Sequence, residues 1–115
     1  MESFEKTNLK TLASCMNRLQ AEGFSENFMV EGKTIHALDS DKEYVPSEVK
    51  ILNFYRFEGE SDPADNSILY ALETSDGVRG LLSDAYGPYA DVKVTKFIAE
   101  VEDIMKKTNR DIKTL

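Results

Sequence analysis

The residues of this sequence best suited to chemistry are oxygen-bearing and tyrosine side chains gathered in two loop segments. They form one candidate ligand-binding set: Glu58, Asp62, Asp65, Asn66, Asp84, Tyr86, Tyr89 and Asp91. Carboxylate and amide oxygens are the ligands that Ca²⁺ and Mg²⁺ prefer, and paired carboxylates can act as acid and base in a hydrolase. The same side chains also bond nearby backbone in ordinary turns. The sequence therefore identifies no catalytic residue and predicts no cofactor, although a divalent cation is compatible with this set.

The strands around these loops must bring the two segments to one place. An apolar strand over residues 49–57 leads into the first segment, and the connection 59–67 is too short for a helical crossover, so the next strand runs antiparallel. Strands at 68–72 and 78–82 are joined through Ser75, Asp76 and Gly77, and an Asp-Gly pair between apolar runs is typical of a hairpin. We therefore expect residues 58–67 and 84–91 at the same end of the sheet.

One amphipathic helix is predicted before the strands in the sequence and a second is predicted after them. The first is predicted over residues 5–22, and it ends where Gly23 suits a left-handed C-cap and Phe24 can fold back onto it. The second is predicted to begin near Thr95, a suitable N-cap residue, and residues 109–115 are predicted to be a loosely held tail.

The remaining segments complete an α-β-β-β-β-β-α order. Residues 27–38 read as a short hairpin, 39–43 as an acidic loop, and 46–48 as a single turn. The strand at 49–57 is apolar on both faces, which is typical of a central strand. We therefore predict an α+β fold in one domain, residues 1–115, with an antiparallel sheet of about five strands and both helices packed on one face.

Composition narrows the class of function. The chain has 115 residues and a formal charge of −7, and eight acids stand against one base, Arg79, between residues 58 and 91. Such a region repels nucleic acid, and no apolar run is long enough to span a membrane, so we expect neither partner and a cytoplasmic location. Cys15 and His36 are each the only residue of their type, so a paired-cysteine metal site is excluded; we interpret Cys15 as a small buried thiol.

Several short runs of residues resemble a known family. They are YRFEG at 55–59, SDP at 61–63, DNSILYA at 65–71, DGV at 76–78 with Gly80, DAYG at 84–87 and YAD at 89–91. Together they are similar to a small family of Bacteroidetes proteins of about 100 residues that is often labelled phosphoribosylpyrophosphate synthetase. The resemblance implies the fold and a conspicuous surface, but no catalytic residue. Genuine synthetases resemble two Rossmann-like halves with a diphosphate-binding loop, which this chain lacks, so we do not expect that activity.

The sequence favours a binding or regulatory module over an enzyme. Because the strand at 49–57 is apolar on both faces, an edge or an open face of the sheet is expected to bind a second copy or a protein partner. The alternative is a small enzyme, or a divalent-metal-dependent activity, at the acidic loop end.

Overall fold

The computed structural model describes the backbone of residues 12–57, 66–85 and 90–114, and side chains as far as residue 107. The helices are α1 (Leu12–Ala21) and α2 (Val92–Thr114), and a 3₁₀ turn spans Pro46–Glu48. The strands are β1 (Glu26–Glu31), β2 (Thr34–Ala37), β3 (Lys42–Tyr44), β4 (Val49–Phe57), β5 (Ser67–Thr74) and β6 (Arg79–Ala85). In the described part of the chain, no helix has the length and apolar character that crossing a membrane requires.

All of these strands join one sheet in the order β3-β2-β1-β6-β5-β4. Every neighbouring pair is antiparallel except β1 and β6, which run parallel where Glu26 lies opposite Gly80. The predicted α+β class and the helices at both ends are therefore confirmed. Both predicted hairpins are also confirmed, with Gly32 and Gly77 at positive φ in their turns.

Within the described residues the sheet has one strand more than predicted, because part of the acidic segment 39–43 belongs to β3. Asp41 adopts a left-handed φ of 58° and reverses the chain, and Tyr44 then pairs with Ile35. The Tyr44 ring is buried and meets the edge of the Phe28 ring, at 6.5 Å between centroids. One buried aromatic residue thus fixes a strand too short to show an alternating pattern.

The two helices pack on opposite faces of the sheet, which corrects the prediction that they share one face. On β5, Leu69 and Ala71 belong to a buried cluster with Leu19 of α1, whereas Leu72 belongs to a cluster with Val101 of α2. Successive strand side chains point to opposite faces. The amphipathic stripes were recognisable in the sequence, but a stripe does not specify which side of a sheet it covers.

The sheet curls around α2. Its two edge strands, β3 and β4, are joined only by residues 45–48, and the chain from Tyr44 to Val49 reaches at most about 18 Å. Edges of a flat sheet of this size would lie roughly 24 Å apart. The buried cluster that includes Val101, which we call the α2 cluster, accordingly contains at least one residue from each of the strands β1 to β6: Phe28, Ile35, Ala37, Tyr44, Val49, Leu72 and Leu82.

The strand β4 is an edge strand, so the prediction that it is central is wrong. Its two apolar faces have another origin: Ile51 packs toward α2, whereas Tyr55 and Phe57 pack toward α1. A register shift between Ile51 and Asn53 causes this change. An edge strand therefore carries apolar side chains on both faces because each face has its own helix.

The helix ends follow local chemistry. After α1, the Phe24 amide donates to the Leu19 carbonyl at 3.0 Å and Gly23 has a φ of +114°, which confirms the predicted C-cap. The start of α2 lies at Val92 rather than near Thr95, because Asp91 is the cap: its Oδ1 accepts the Lys93 amide at 2.8 Å. Helical backbone continues to Thr114, and the looseness predicted for residues 109–115 remains a prediction.

A carboxylate in the β5–β6 turn ties this hairpin to β3. Asp76 accepts hydrogen bonds from the Thr74 hydroxyl at 2.5 Å, from the Tyr44 hydroxyl at 3.1 Å and from the Lys42 ammonium at 3.4 Å. The Ser75 amide also donates to the Glu48 carbonyl of the 3₁₀ turn, at 2.8 Å. The Asp-Gly turn thus fastens the base of the curled sheet as well as reversing the chain.

Replacing Asp76 with asparagine is expected to flatten the acid side of the curve of stability against pH. The hydrogen bond from Thr74, together with those from Tyr44 and Lys42, lowers the pKa of Asp76 against the opposing effect of burial. The unfolded chain then binds more protons, so the stabilisation is present above about pH 4 and is lost as the pH falls through the folded-state pKa. Denaturant unfolding at several pH values measures this pH dependence of the free energy of unfolding, with Asp103→Asn as the control. Equal acid sensitivity of wild type and Asp76→Asn would contradict this role.

Candidate functional site

The two loop segments leave the sheet at the same end, as predicted from strand direction. Phe57 at the end of β4 pairs with Ser67 at the start of β5, and Ser67 pairs with Ala85 at the end of β6. The connections that follow β4 and β6 therefore begin side by side. This arrangement is a consequence of consecutive antiparallel pairing and needs no contact between the loops themselves.

Three of the predicted site residues are described, and two of them are in contact. The Asp91 amide donates to both carboxylate oxygens of Asp84, at 3.1 and 3.2 Å, while the Asp91 carboxylate caps α2. Asn66 precedes β5 at the same end of the sheet. The remaining predicted residues lie outside the described part: Glu58, Asp62, Asp65, Tyr86 and Tyr89. The Asp84–Asp91 contact joins β6 to α2, and a ligand-binding role for the set stays a prediction.

A groove of about 330 Å³ opens beside Asp84, between the sheet and α2. Residues of β4, β5 and β6 form its floor, and α2 forms one wall. Its lining comprises Phe54, Arg56, Ile68, Tyr70, Asp84, Ala85, Ala90, Thr95 and Glu102. This mixture of aromatic surface with a few charged and hydroxyl groups is typical of a recognition site. We call it the α2 groove.

The aromatic side of the α2 groove is a stacked arrangement on β4 and β5. The Phe54 and Tyr70 rings lie 6.5 Å apart at an interplanar angle of 49°, and the Arg56 guanidinium lies 5.7 Å from the centroid of Phe54. Phe54 pairs with Tyr70 across the two strands, which places both rings on the α2 face. The groove therefore presents flat aromatic surface beside a cation.

Burial and neighbouring charge set the protonation of the polar groups in the groove. Burial raises the pKa of Tyr70, the carboxylates of Glu102 and Asp84 raise it further, and Arg56 opposes them. Burial also raises the pKa of Asp84, against hydrogen bonds from the Ala85 and Asp91 backbone and alongside the charge of Asp91. At neutral pH, Tyr70 is therefore a neutral hydroxyl that can donate or accept a hydrogen bond.

The α2 groove continues along the edge strand. A second depression of about 420 Å³ shares Phe54 and Glu102 with it and extends over Ile51, Leu52, Asn53, Met105 and Lys106. Here the Ile51 amide donates to the Met105 sulfur, at 3.4 Å. We call this depression the edge groove. The two grooves together follow much of the length of β4 on its α2 side.

The opposite face of β4 also has a groove, which we call the α1 groove. It measures about 400 Å³ and is lined by Cys15, Arg18, Leu19, Glu22, Tyr55, Arg56 and Phe57. Cys15 itself is buried, and burial is the main cause that raises its pKa. The thiol is thus kept neutral, in agreement with its interpretation as a small buried side chain rather than a nucleophile.

Sequence reasoning did not find the groove residues Phe54, Tyr70 and Glu102. A regular alternation along residues 49–57 separates Ile51 from Phe54, whereas the register shift at Leu52 brings both toward α2. The adjacent apolar pair Ile51-Leu52 is the available signal, because a bulge places two successive residues opposite one.

Comparisons with protein-family models, with curated proteins and with solved structures found no match to this chain. The family resemblance of the runs at 55–59 and 84–91 therefore stays a prediction. We infer function from the edge strand and its grooves.

Proposed function

We propose that this protein is a binding module that self-associates by pairing β4 of one copy with β4 of a second copy. The observation that carries the proposal is an edge strand of nine residues that exposes large apolar side chains. Leu52 is 43% exposed and Phe54 is 44% exposed. Long apolar edges are templates for pairing with another strand.

The grooves beside β4 suit an added strand. The side chains of such a strand point alternately to the two faces of the sheet. On one face they would meet the edge groove and the α2 groove, and on the other face the α1 groove. Strand addition beside a helix uses this combination, with main-chain hydrogen bonds for affinity and side-chain pockets for specificity.

Charge favours a second copy of β4 as the occupant. The strand carries two cations, Lys50 and Arg56, and no acid, whereas Asp84 and Glu102 contribute carboxylates to the α2 groove. Pairing of two identical antiparallel strands is also isologous, so each copy fills the grooves of the other and the assembly closes as a dimer.

Sedimentation over a range of concentrations tests the proposal. We expect a dimer that Leu52→Glu and Phe54→Glu each weaken at least about 30-fold, because truncating or charging a central interface side chain costs about 2 kcal/mol or more. Leu38→Glu is the matched control, since Leu38 is 48% exposed but lies just after β2, away from the β4 edge. Thermal unfolding of each variant separates loss of association from loss of fold.

A wild-type chain that remains monomeric at high concentration would contradict self-association. A monomer that is stabilised by a divalent ion, a nucleotide or a sugar phosphate would instead favour the alternative, a small enzyme or metal-dependent activity at the acidic loop end. The α2 groove is the feature that supports this alternative, because its lining includes Asp84 from the predicted set and Tyr70.

A further inference from the structure

A cluster of possible metal ligands lies on β1, β2 and β3, at the opposite end of the strand order from β4. Glu31, His36 and Glu43 each contribute one ligand atom, and these atoms lie within 4.8 Å of one another. Ile35 and Ala37, on either side of His36, belong to the α2 cluster, so the imidazole points to the opposite face. His36 lies directly opposite Glu43 in the β2–β3 pair.

The orientation of the His36 ring leaves one of its two nitrogens without a hydrogen-bond partner among the described residues. Its Nε2 lies 3.1 Å from Asp41 Oδ1, and an N–H on Nε2 is the state that this carboxylate favours. The other nitrogen, Nδ1, is buried and has no hydrogen-bond partner among the described residues. It lies 3.7 Å from Glu31 Oε1 and 3.8 Å from Glu43 Oε2. The lone pair of a buried Nδ1 and two carboxylate oxygens repel one another, and a cation bound between the three atoms would remove this repulsion.

We propose that Glu31, His36 and Glu43 bind a divalent transition-metal cation of the Zn²⁺ class. Imidazole favours such ions over Ca²⁺ and Mg²⁺, and a nitrogen with two carboxylates is a common set of protein ligands for zinc. In a tetrahedral site with bonds of about 2.1 Å, ligand atoms lie about 3.4 Å apart, close to the separations from Nδ1 found here. An octahedral site would need about 3.0 Å between adjacent ligands at the same bond length.

Asp41 supplies the support that metal-binding histidines require. A carboxylate on the far ring nitrogen fixes the tautomer and makes the ligating nitrogen more basic. The chain holds Asp41 in place through its left-handed backbone and through its amide, which donates to the Ala37 carbonyl at 2.8 Å. Three protein ligands leave a fourth tetrahedral position for water or a further ligand. The proposed metal site contains none of the groove residues and does not require self-association.

Calorimetric titration of the metal-stripped full chain with Zn²⁺ at neutral pH tests the site. We expect one bound ion per chain and a loss of affinity of about 10- to 100-fold for the supporting variant Asp41→Asn. Larger losses are expected for the ligand variants His36→Gln, Glu31→Gln and Glu43→Gln. The control Asp103→Asn removes an exposed carboxylate of α2 and is expected to leave the affinity unchanged.

A Co²⁺ spectrum provides an independent readout, with tetrahedral d–d bands and no thiolate charge transfer expected. A thiolate band would point to Cys15 and overturn the assignment, as would absence of binding or equal affinity of the wild type and the ligand variants. The Glu31 and Glu43 side chains are 54% and 59% exposed, so their glutamine variants should fold even if the His36 variant does not. Those two variants then decide the result.

Discussion

Substituting Gly80 with alanine is expected to destabilise the fold by about 3 kcal/mol, the upper end of the usual cost of overpacking. A Cβ at this position would collide with the Glu26 carbonyl oxygen and would lie 2.7 Å from both the carbonyl carbon and the Cβ of Glu26. These are atoms of the paired strand, so no flexible side chain can move aside. Denaturant unfolding of both proteins measures the loss.

The position matters because β1 and β6 hold the two halves of the sheet together. Their parallel contact comprises Glu26 opposite Gly80 and Asn27 opposite Leu81. Glu26 is also fixed from its other end, since its Oε2 accepts the Asp39 amide at 2.7 Å. Relieving the collision would therefore separate strands or break this hydrogen bond.

The matched control is the same change at Gly32, in the β1–β2 turn. A Cβ there meets no atom of the described residues within 4 Å, but the φ of +61° is left-handed, so alanine should cost only about 1 to 2 kcal/mol of backbone strain. Equal losses at the two positions would show that close approach at the β1–β6 contact contributes nothing.

Local features of the fold could be predicted from the sequence because neighbouring residues determine them. The Asp76-Gly77 turn, the turn at Gly32 and the C-cap at Gly23 each depend on one backbone conformation within a few residues. Consecutive antiparallel strands then fix which ends of β4, β5 and β6 lie together. This antiparallel order alone places the starts of the two loop segments at the same end of the sheet.

The features that escaped prediction depend on contacts between distant segments. The parallel contact of Glu26 with Gly80 joins strands that are far apart in the chain, so no local sequence pattern predicts it. The faces covered by α1 and α2 are fixed by how the sheet curls. The bulge at Leu52 converts one regular strand into two half-strands with opposite inner faces.

The two candidate sites differ in how far the sequence could lead to them. Strand direction predicts that the segment containing Asp84 and Asp91 lies at the same end of the sheet as residues 58–67, but it does not predict the hydrogen bond from the Asp91 amide to the Asp84 carboxylate. The sequence does not predict the His36 cluster, because residues 39–43 read as an acidic loop rather than as the strand that places Glu43 opposite His36. Since Glu31 and His36 flank the Gly32 turn at positions that point to the same face, hairpin register was the signal that could have found the pair.

Replacing Leu72 with alanine is expected to destabilise the protein by about 2 to 5 kcal/mol and to loosen α2. Leu72 is 0% exposed and packs in the cluster that α2 closes, whereas Leu69, equally buried, packs in the cluster that α1 closes. Leu69→Ala should cost a similar amount but loosen α1 instead. Leu38→Ala, at an exposed position just after β2, is the control, with an expected loss below about 1 kcal/mol.

Amide hydrogen exchange measures which helix opens in each variant, and the double variant measures whether the sites are independent. Because Leu69 and Leu72 share no cluster, their effects should add to within about 0.5 kcal/mol. If both helices instead covered one face, the two substitutions would compete for the same packing or one of them would be nearly harmless. Loss of protection in α2 from Leu69→Ala alone, or strong coupling in the double variant, would therefore contradict the placement of the helices on opposite faces.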